Sequence, residues 1–430
     1  MGHLGDLKAE YHDLARRLEG GVMGFPAPND GRAWDAWKEI LEILYPPEDA
    51  QLAARLPLRP ATLEALSARL EMPADELRRR LEPMCERGIV MDLVHPRTGE
   101  VTYLLSPPLG GFVEFSMMRA HDGLPKKRLA EAFHAYCLGD ETFAREVFTR
   151  DTVIGRAAVH ETVLDDETPD VLDWERATAI IESARVRAVS LCYCRHSAQH
   201  LGQACAAPVD NCLSLNAGAD FVIRRAFGRE ISATEALEIL ARAREGGLVQ
   251  IADNVRSRPI YICNCCGCCC HQLQAINRFG LDAVKPSGFV PALEAASCKG
   301  CGRCARACPV AAISMTASRT GGQPQARLQP RIDEDRCIGC GVCAGTCRRH
   351  ALRMSRHARP YVPENGVERA VRMALERGHL ADLFFEGGRS RGERFLHRAL
   401  RAVEQLEPVQ RVLASEQLRS RFIRFALGGR

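Results

Sequence analysis

The stretch "ICNCCGCCCH" (262–271) places six cysteines within eight positions, Cys263, Cys265, Cys266, Cys268, Cys269 and Cys270. Thiols at that density serve disulfides, a metal, an iron–sulfur cluster or a redox relay. Upstream, "LCYCRHSAQHLGQACAAPVDNCLSL" adds Cys192, Cys194, Cys205 and Cys212. Downstream, "CKGCGRCARACP" (298–309) and "CIGCGVCAGTCR" (337–348) repeat C-x2-C-x2-C-x3-C at an offset of 39 residues. Four soft thiolates are what an iron–sulfur cubane needs, one for each iron, and the short spacings wrap a tight loop around it. Gly300, Gly302, Gly339 and Gly341 permit that turn without a Cβ penalty. Zinc fits this run poorly, because structural zinc sites usually draw on two separated C-x2-C pairs.

The chain has 430 residues and 20 cysteines; Cys85 and Cys137 stand alone, and the other eighteen lie between 192 and 347. A hydrophobic content of 46% with 26% charged residues reads as globular rather than disordered, and the length as two to four domains. No apolar run approaches the roughly 18 residues needed to cross a bilayer. The opening "MGHLGDLKAEYHDLARRL" is a polar amphipathic pattern rather than a secretion signal, and Asp6 stands where a myristoylation signal has Ser or Thr. These features predict a soluble cytoplasmic protein whose cysteines serve metal or redox chemistry instead of structural disulfides. No G-x-G-x-x-G or G-x-x-x-x-G-K-[ST] occurs, so nucleotide binding has no support.

The elements that must position these thiols come next. Helices are expected at 4–19 and 33–45, then at 61–70 and about 73–86, followed by a strand, the turn "HPRTGE" and a returning strand. That order resembles a winged helix-turn-helix module. Arg78, Arg79 and Arg80 on its second helix could meet phosphates, or form a solvated face of a packing element. A helical connector ends in the acidic "LDDETPD", after which the pattern turns α/β. "VRAVSLCYC" and "RPIYICNCC" read as strands, and "ISATEALEILARAREGGLV" as a helix with a Ser232 cap and a Gly-Gly stop. The expected architecture is α+β and multidomain. It runs as N-terminal helices (1–48), a winged-helix-like module (49–118), a helical connector (119–175), an α/β cysteine-rich metal-binding domain (176–290), a two-cluster domain (291–357) and a basic helical tail (358–430). From Arg348 onward there are 18 Arg and 9 acids, net +9, which leaves −5 for the preceding 347 residues of a chain at +4. Such an asymmetry could dock an acidic partner or be a solvated helical face.

The repeat at 298–348 resembles the bacterial two-cluster ferredoxins over about 60 residues. Carried over by position, the resemblance implies that Cys298, Cys301, Cys304 and Cys347 hold one [4Fe–4S] cluster and Cys337, Cys340, Cys343 and Cys308 the other. The usual Pro after the fourth cysteine is Pro309 in the first copy but Arg348 in the second. The 28-residue gap between Cys308 and Cys337 is long, and "RTGGQPQAR" within it reads as an extended hairpin turn. The stretch from about 150 to 350, with its C-x-C-R-H and C-N-C-C-G-C-C blocks, is similar to a family of ferredoxin-type 4Fe–4S proteins known from anaerobic bacteria. That resemblance implies electron transfer and names no substrate. Adjacent cysteines next to Gly also resemble the cysteine-rich domains of heterodisulfide-reductase-like proteins, although the spacings differ.

On a strand, residues i and i+2 project to one face, so Cys192 with Cys194 and Cys263 with Cys265 would each present a thiolate pair. If the two strands are neighbours, four thiolates form one site. The ten upstream cysteines exceed the needs of one cubane and would suffice for two, or for one larger cluster. A further iron–sulfur cluster leads here, with zinc or metal-free thiols as the alternatives. His196, His200 and His271 border the site as hydrogen-bonding neighbours rather than ligands, and Arg195 would offset cluster charge. The functional expectation is an electron-transfer protein, a subunit or partner of a larger oxidoreductase with redox protein partners. The rival is a redox-responsive regulator with its winged helix on DNA. Protein prepared without oxygen should carry at least about eight irons, the minimum for two cubanes. In iron analysis with EPR, Cys301→Ala should cost a cluster signal and Cys85→Ala should not.

Overall fold

The computed structural model describes residues 7–29, 31–148, 150–164, 171–318, 327–385 and 391–404. The chain divides into two compact units. One comprises Met1–Thr152, Arg224–Phe227 and Glu364–Arg430; the other comprises Val153–Ile223 and Gly228–Pro363. Among the described residues, no helix is long and apolar enough to cross a membrane.

The first unit is mainly helical. Helices His12–Glu19, Gly31–Leu44 and Pro47–Ala53 precede β1 (Ala61–Thr62), helices Leu63–Leu70 and Ala74–Glu86, and the hairpin β2 (Val90–Val94) and β3 (Val101–Leu105). The expected first helix enters through a short 3-10 turn at Ala9–Tyr11, and its residues 4–6 lie outside the described set. Thr62 caps Leu63–Leu70 by accepting from the Ala65 N–H at 3.3 Å, and Glu71 ends that helix at φ 53°. The three strands pair antiparallel in the order β1-β3-β2. Arg78 and Arg79 are exposed, while Arg80 donates to the Glu48 carbonyl at 3.2 Å. Cys85 and Cys137 are buried in this unit, and burial pushes both thiols well above their usual range.

The C-terminal segment expected as a basic tail packs at its start, through helix Gly366–Arg377 and Leu380, whereas helix Arg391–Glu404 exposes Phe395 and Leu396. Val371, Ala374, Leu375 and Leu380 form an apolar cluster that also takes Val22. Arg377 Nη2 donates to the Val147 carbonyl at 2.8 Å, and the Thr152 hydroxyl to Glu376 Oε1 at 2.7 Å. The apolar stripe of helix Gly366–Arg377 explains the docking, with the buried Arg372 answered by Glu368 Oε1 at 3.0 Å. Residues 405–430 lie outside the described set.

The second unit holds the cysteine-rich region. Its six-stranded sheet runs β4-β8-β9-β6-β5-β7. These strands are β4 (Gly155–Ala158), β5 (Arg187–Ser190), β6 (Cys212–Leu215), β7 (Gly228–Glu230), β8 (Val249–Asp253) and β9 (Tyr261–Cys265). Every strand pairing in it is antiparallel, so the α/β alternation of the sequence does not build a parallel sheet. β4 lies within the segment expected as a helical connector, and residues 165–170, most of the "LDDETPD" run, are outside the described set. Ser232 caps helix Ala233–Glu245 through the Glu235 N–H at 3.1 Å, as its sequence predicts. That helix and Ala177–Ser183 cover the sheet through Ile180, Ile181, Val189, Leu213, Leu215, Ile239 and Ile262.

Beyond the sheet, β10 (Phe289–Leu293) pairs with β13 (Leu352–Arg356), and β11 (Ile313–Ser318) with β12 (Arg327–Ile332). These two antiparallel ribbons flank the two C-x2-C-x2-C-x3-C loops. Ser318 pairs with Arg327, so the long insertion does begin and end as a hairpin; its turn, 319–326, lies outside the described residues. Ile262 is fully buried between Ala252 and Leu213, directly before Cys263. Ile262→Ala should therefore cost about 2–5 kcal/mol. Anaerobic urea unfolding should show a lowered midpoint with unchanged slope, alongside weaker metal retention by the upstream cysteines.

Candidate metal centres

The first expected ligand set comes together. Cys298, Cys301, Cys304 and Cys347 line one cavity of about 270 Å³ with Leu293, Met315, Pro330 and Leu352. Cys304 sits on the short helix Arg303–Ala307, and Cys347 follows helix Val342–Gly345 from the second copy. Gly300 and Gly302 adopt φ of 67° and 69°, which bends the loop until the Gly300 N–H points at Cys298 Sγ, 3.4 Å away. Lys299, Arg348 and Arg349 are exposed at the rim, beside the exposed Cys301.

The second set also converges. Burial pushes Cys337, Cys340 and Cys343 up, Cys340 to about 12, and each of the three feels the charge of Cys308. Backbone N–H groups of Gly339, Val342 and Ala344 oppose that rise at Cys337, Cys340 and Cys343. The Ala312 N–H donates to Cys308 Sγ at 3.2 Å. Gly339 has φ 69°, and a Cβ there would overlap the Phe289 carbonyl. Aimed amides and sulfurs gathered from both copies fit two thiolate-bound clusters.

The ten upstream cysteines do not divide as the strand argument expects. Cys263 and Cys265 lie on β9, but Cys192 and Cys194 are not on a strand: β5 stops at Ser190, and Cys192 caps helix Tyr193–His200. Nor are β5 and β9 neighbours, because β6 runs between them and begins with Cys212. A helix start reverses the chain after two residues, which a period-two reading cannot see. The thiols meet by another route. S–H···S contacts link Cys192 to Cys194, Cys194 to Cys270, Cys270 to Cys265, Cys265 to Cys263 and Cys263 to Cys212. This string of six joins both C-x-C pairs through Cys270, which caps helix His271–Phe279.

The remaining four form a compact quartet. The sulfurs of Cys205, Cys266, Cys268 and Cys269 all lie within 4.8 Å of one another. Cys205 donates to Cys266 at 3.5 Å, Cys269 to Cys205 at 4.0 Å, and Cys268 and Cys269 are 3.7 Å apart.

Hydrogen bonding splits the thiols into donors and acceptors. Cys263 is drawn down to about 5 by the S–H groups of Cys212 and Cys265, against burial. Cys266 is drawn down to about 4, first by Cys269, against burial and with help from Arg195. Cys270 falls well below the usual thiol range through Cys194, Cys265 and the Leu273 N–H at its helix start. Arg195 is fully buried and donates to the Pro208 carbonyl at 2.6 Å, Asn211 Oδ1 at 3.2 Å and Cys266 Sγ at 3.3 Å. Burial would lower its pKa, but Cys192 and Cys266 reverse this, so the guanidinium keeps its charge. His196 and His200 face each other at 3.2 Å between Nε2 atoms, and the backbone N–H of His271 donates to Cys194 Sγ at 3.5 Å.

One junction was not visible in the sequence. Gly267 packs so closely on Pro309, next to Cys308, that a Cβ would overlap the Pro309 carbonyl. Asn277 Nδ2 donates to that carbonyl at 3.0 Å and to the Gly267 carbonyl at 3.3 Å. Arg336 donates to Asn277 Oδ1 at 3.3 Å and to the Val310 carbonyl. Asn277 is one polar residue on an amphipathic helix, and nothing in its spacing marks it.

If the six-thiol string holds one centre, Cys194→Ala, Cys265→Ala and Cys270→Ala should each remove the same EPR feature. The Cys194/Cys265 double variant should add little, and the twin-cluster signals should survive in all. No curated protein and no solved structure matches the chain. Residues 297–351 match the family model of the 4Fe–4S dicluster domain, and this part of the chain is a ferredoxin-type domain for two [4Fe–4S] clusters.

Proposed function

We propose that the chain is an iron–sulfur electron-transfer protein, a subunit or partner of a larger cytoplasmic oxidoreductase. In this reading Cys298, Cys301, Cys304 and Cys347 hold one [4Fe–4S] cluster, and Cys337, Cys340, Cys343 and Cys308 the other. A further iron–sulfur cluster draws its ligands from Cys192, Cys194, Cys212, Cys263, Cys265 and Cys270. When bound, such clusters accept and release single electrons.

The observation that carries the reading is the seam at Gly267 and Pro309. The cysteine block and the loop after Cys308 touch backbone to backbone, clamped by Asn277. A close contact between two cysteine-bearing segments is what intramolecular electron exchange needs. The chain also supplies a docking rim, since Lys299, Arg348 and Arg349 surround the cavity that the first ligand set lines. An acidic redox partner would be steered there, with rates that fall as salt rises. The module at 61–105 has the strand and helix order of a winged helix, and we read it as a packing or docking element. Of its three arginines, Arg80 is already bonded to the Glu48 carbonyl, which leaves two for any phosphate.

The test is anaerobic rapid-freeze EPR after mixing with a reduced low-potential donor. Electrons should appear on the twin clusters and then on the upstream centre. Asn277→Ala should slow the second step about tenfold without lowering the iron count. An upstream centre that stays oxidised while the twin clusters turn over sinks the reading, and sequence-specific DNA binding lost on replacing Arg78, Arg79 and Arg80 would promote a regulator instead.

A further inference from the structure

We infer that Cys205, Cys266, Cys268 and Cys269 form a separate mononuclear zinc site, distinct from every iron–sulfur centre of the chain. The argument is one of sulfur spacing. Four thiolates around one metal ion at about 2.3 Å define a tetrahedron whose edge is about 3.8 Å. The quartet shows sulfur separations of 3.5, 3.7 and 4.0 Å, and all four atoms fall within 4.8 Å of each other. In a cubane each thiolate binds a different iron at a different corner, so the four sulfurs stand farther apart.

The protein supplies its own contrast. Cys298, Cys301, Cys304 and Cys347 surround a cavity of about 270 Å³ that a cluster can fill. Among the described residues, the upstream quartet alone brings three or more metal-binding side chains within that 4.8 Å limit. Tetrahedral all-sulfur coordination belongs to zinc or to iron–sulfur centres; four sulfurs mutually this close suit one ion rather than a cubane, and a closed four-cysteine set is the usual structural zinc site.

The surroundings fit a closed structural site. Four thiolates on Zn2+ leave a net charge of −2, and the buried Arg195 guanidinium lies 3.3 Å from Cys266 Sγ to offset part of it. Cys268 is exposed, which gives the ion a way in, whereas Cys269 is buried. The ligands come from two places, Cys205 in the loop before β6 and the other three in the turn after β9. Zinc would thus staple the turn that carries Gly267 onto the neighbouring loop. It would hold the seam with Pro309 in shape while taking no part in redox chemistry. This inference stands whether or not the six-thiol string holds a cluster.

The full-length protein, purified without oxygen, should contain one zinc per chain beside its iron. X-ray absorption at the zinc edge should show four sulfur neighbours at about 2.3 Å and no second metal. Cys205→Ser and Cys268→Ser should each lose at least about nine-tenths of the zinc and leave the iron count unchanged. The edge measurement needs no variant, so a misfolded mutant does not decide the matter. Absence of zinc, a zinc shell with fewer than four sulfurs, or a fall in iron instead of zinc in these variants would overturn the site.

Discussion

Sulfur carried as thiolate brings negative charge into places that water cannot reach, and the architecture of the second unit follows from that constraint. Each candidate ligand set is answered by fixed positive ends of dipoles or by a cation. The ferredoxin loops turn through glycines at positive φ so that backbone N–H groups face Cys298, Cys337, Cys340 and Cys343. Upstream, the start of helix His271–Phe279 serves Cys270, and Arg195 serves the quartet. Unanswered, buried thiolates would cost several kcal/mol each, and the thiols would simply remain protonated. Cys85 and Cys137 show that outcome, since burial outweighs every other influence on them and holds both thiols protonated.

Legibility in the sequence followed the range of the interaction. The twin motif was readable because the cysteines of each copy lie within eleven positions of one another; Cys298, Cys301, Cys304 and, from the other copy, Cys347 line one cavity. Helix Ala233–Glu245 was readable for the same local reason, a serine cap at one end and two glycines at the other. The upstream division was not. It depends on β6 entering between β5 and β9, and on the chain turning helical at Tyr193, both of which tertiary pairing decides. Periodicity gave each C-x-C pair a strand face and joined the two by strand adjacency; the fold instead routes their contact through Cys270.

The same limit explains the C-terminal segment. Its arginines dominate a composition count and read as a solvated basic tail. The apolar stripe on helix Gly366–Arg377 decides its fate, burying Val371 and Leu375 while Arg377 reaches the Val147 carbonyl. Net charge describes how a surface meets solvent and partners, and it is silent on whether a helix packs.

The crossing of the fourth cysteines has a consequence for synthesis. Cys347 stands with Cys298, Cys301 and Cys304, so neither ferredoxin loop can be completed until the ribosome has passed the second one. The quartet needs nothing beyond Cys269, and the six-thiol string nothing beyond Cys270. Because chains emerge from the N-terminal side at about 5–20 residues per second, the upstream sulfurs are all available several seconds before the last ferredoxin sulfur appears. A nascent chain therefore passes through an interval in which all ten upstream thiols are present while Cys298, Cys301 and Cys304 still lack Cys347. Oxygen or a wrong metal arriving in that interval would meet three thiols without their fourth partner.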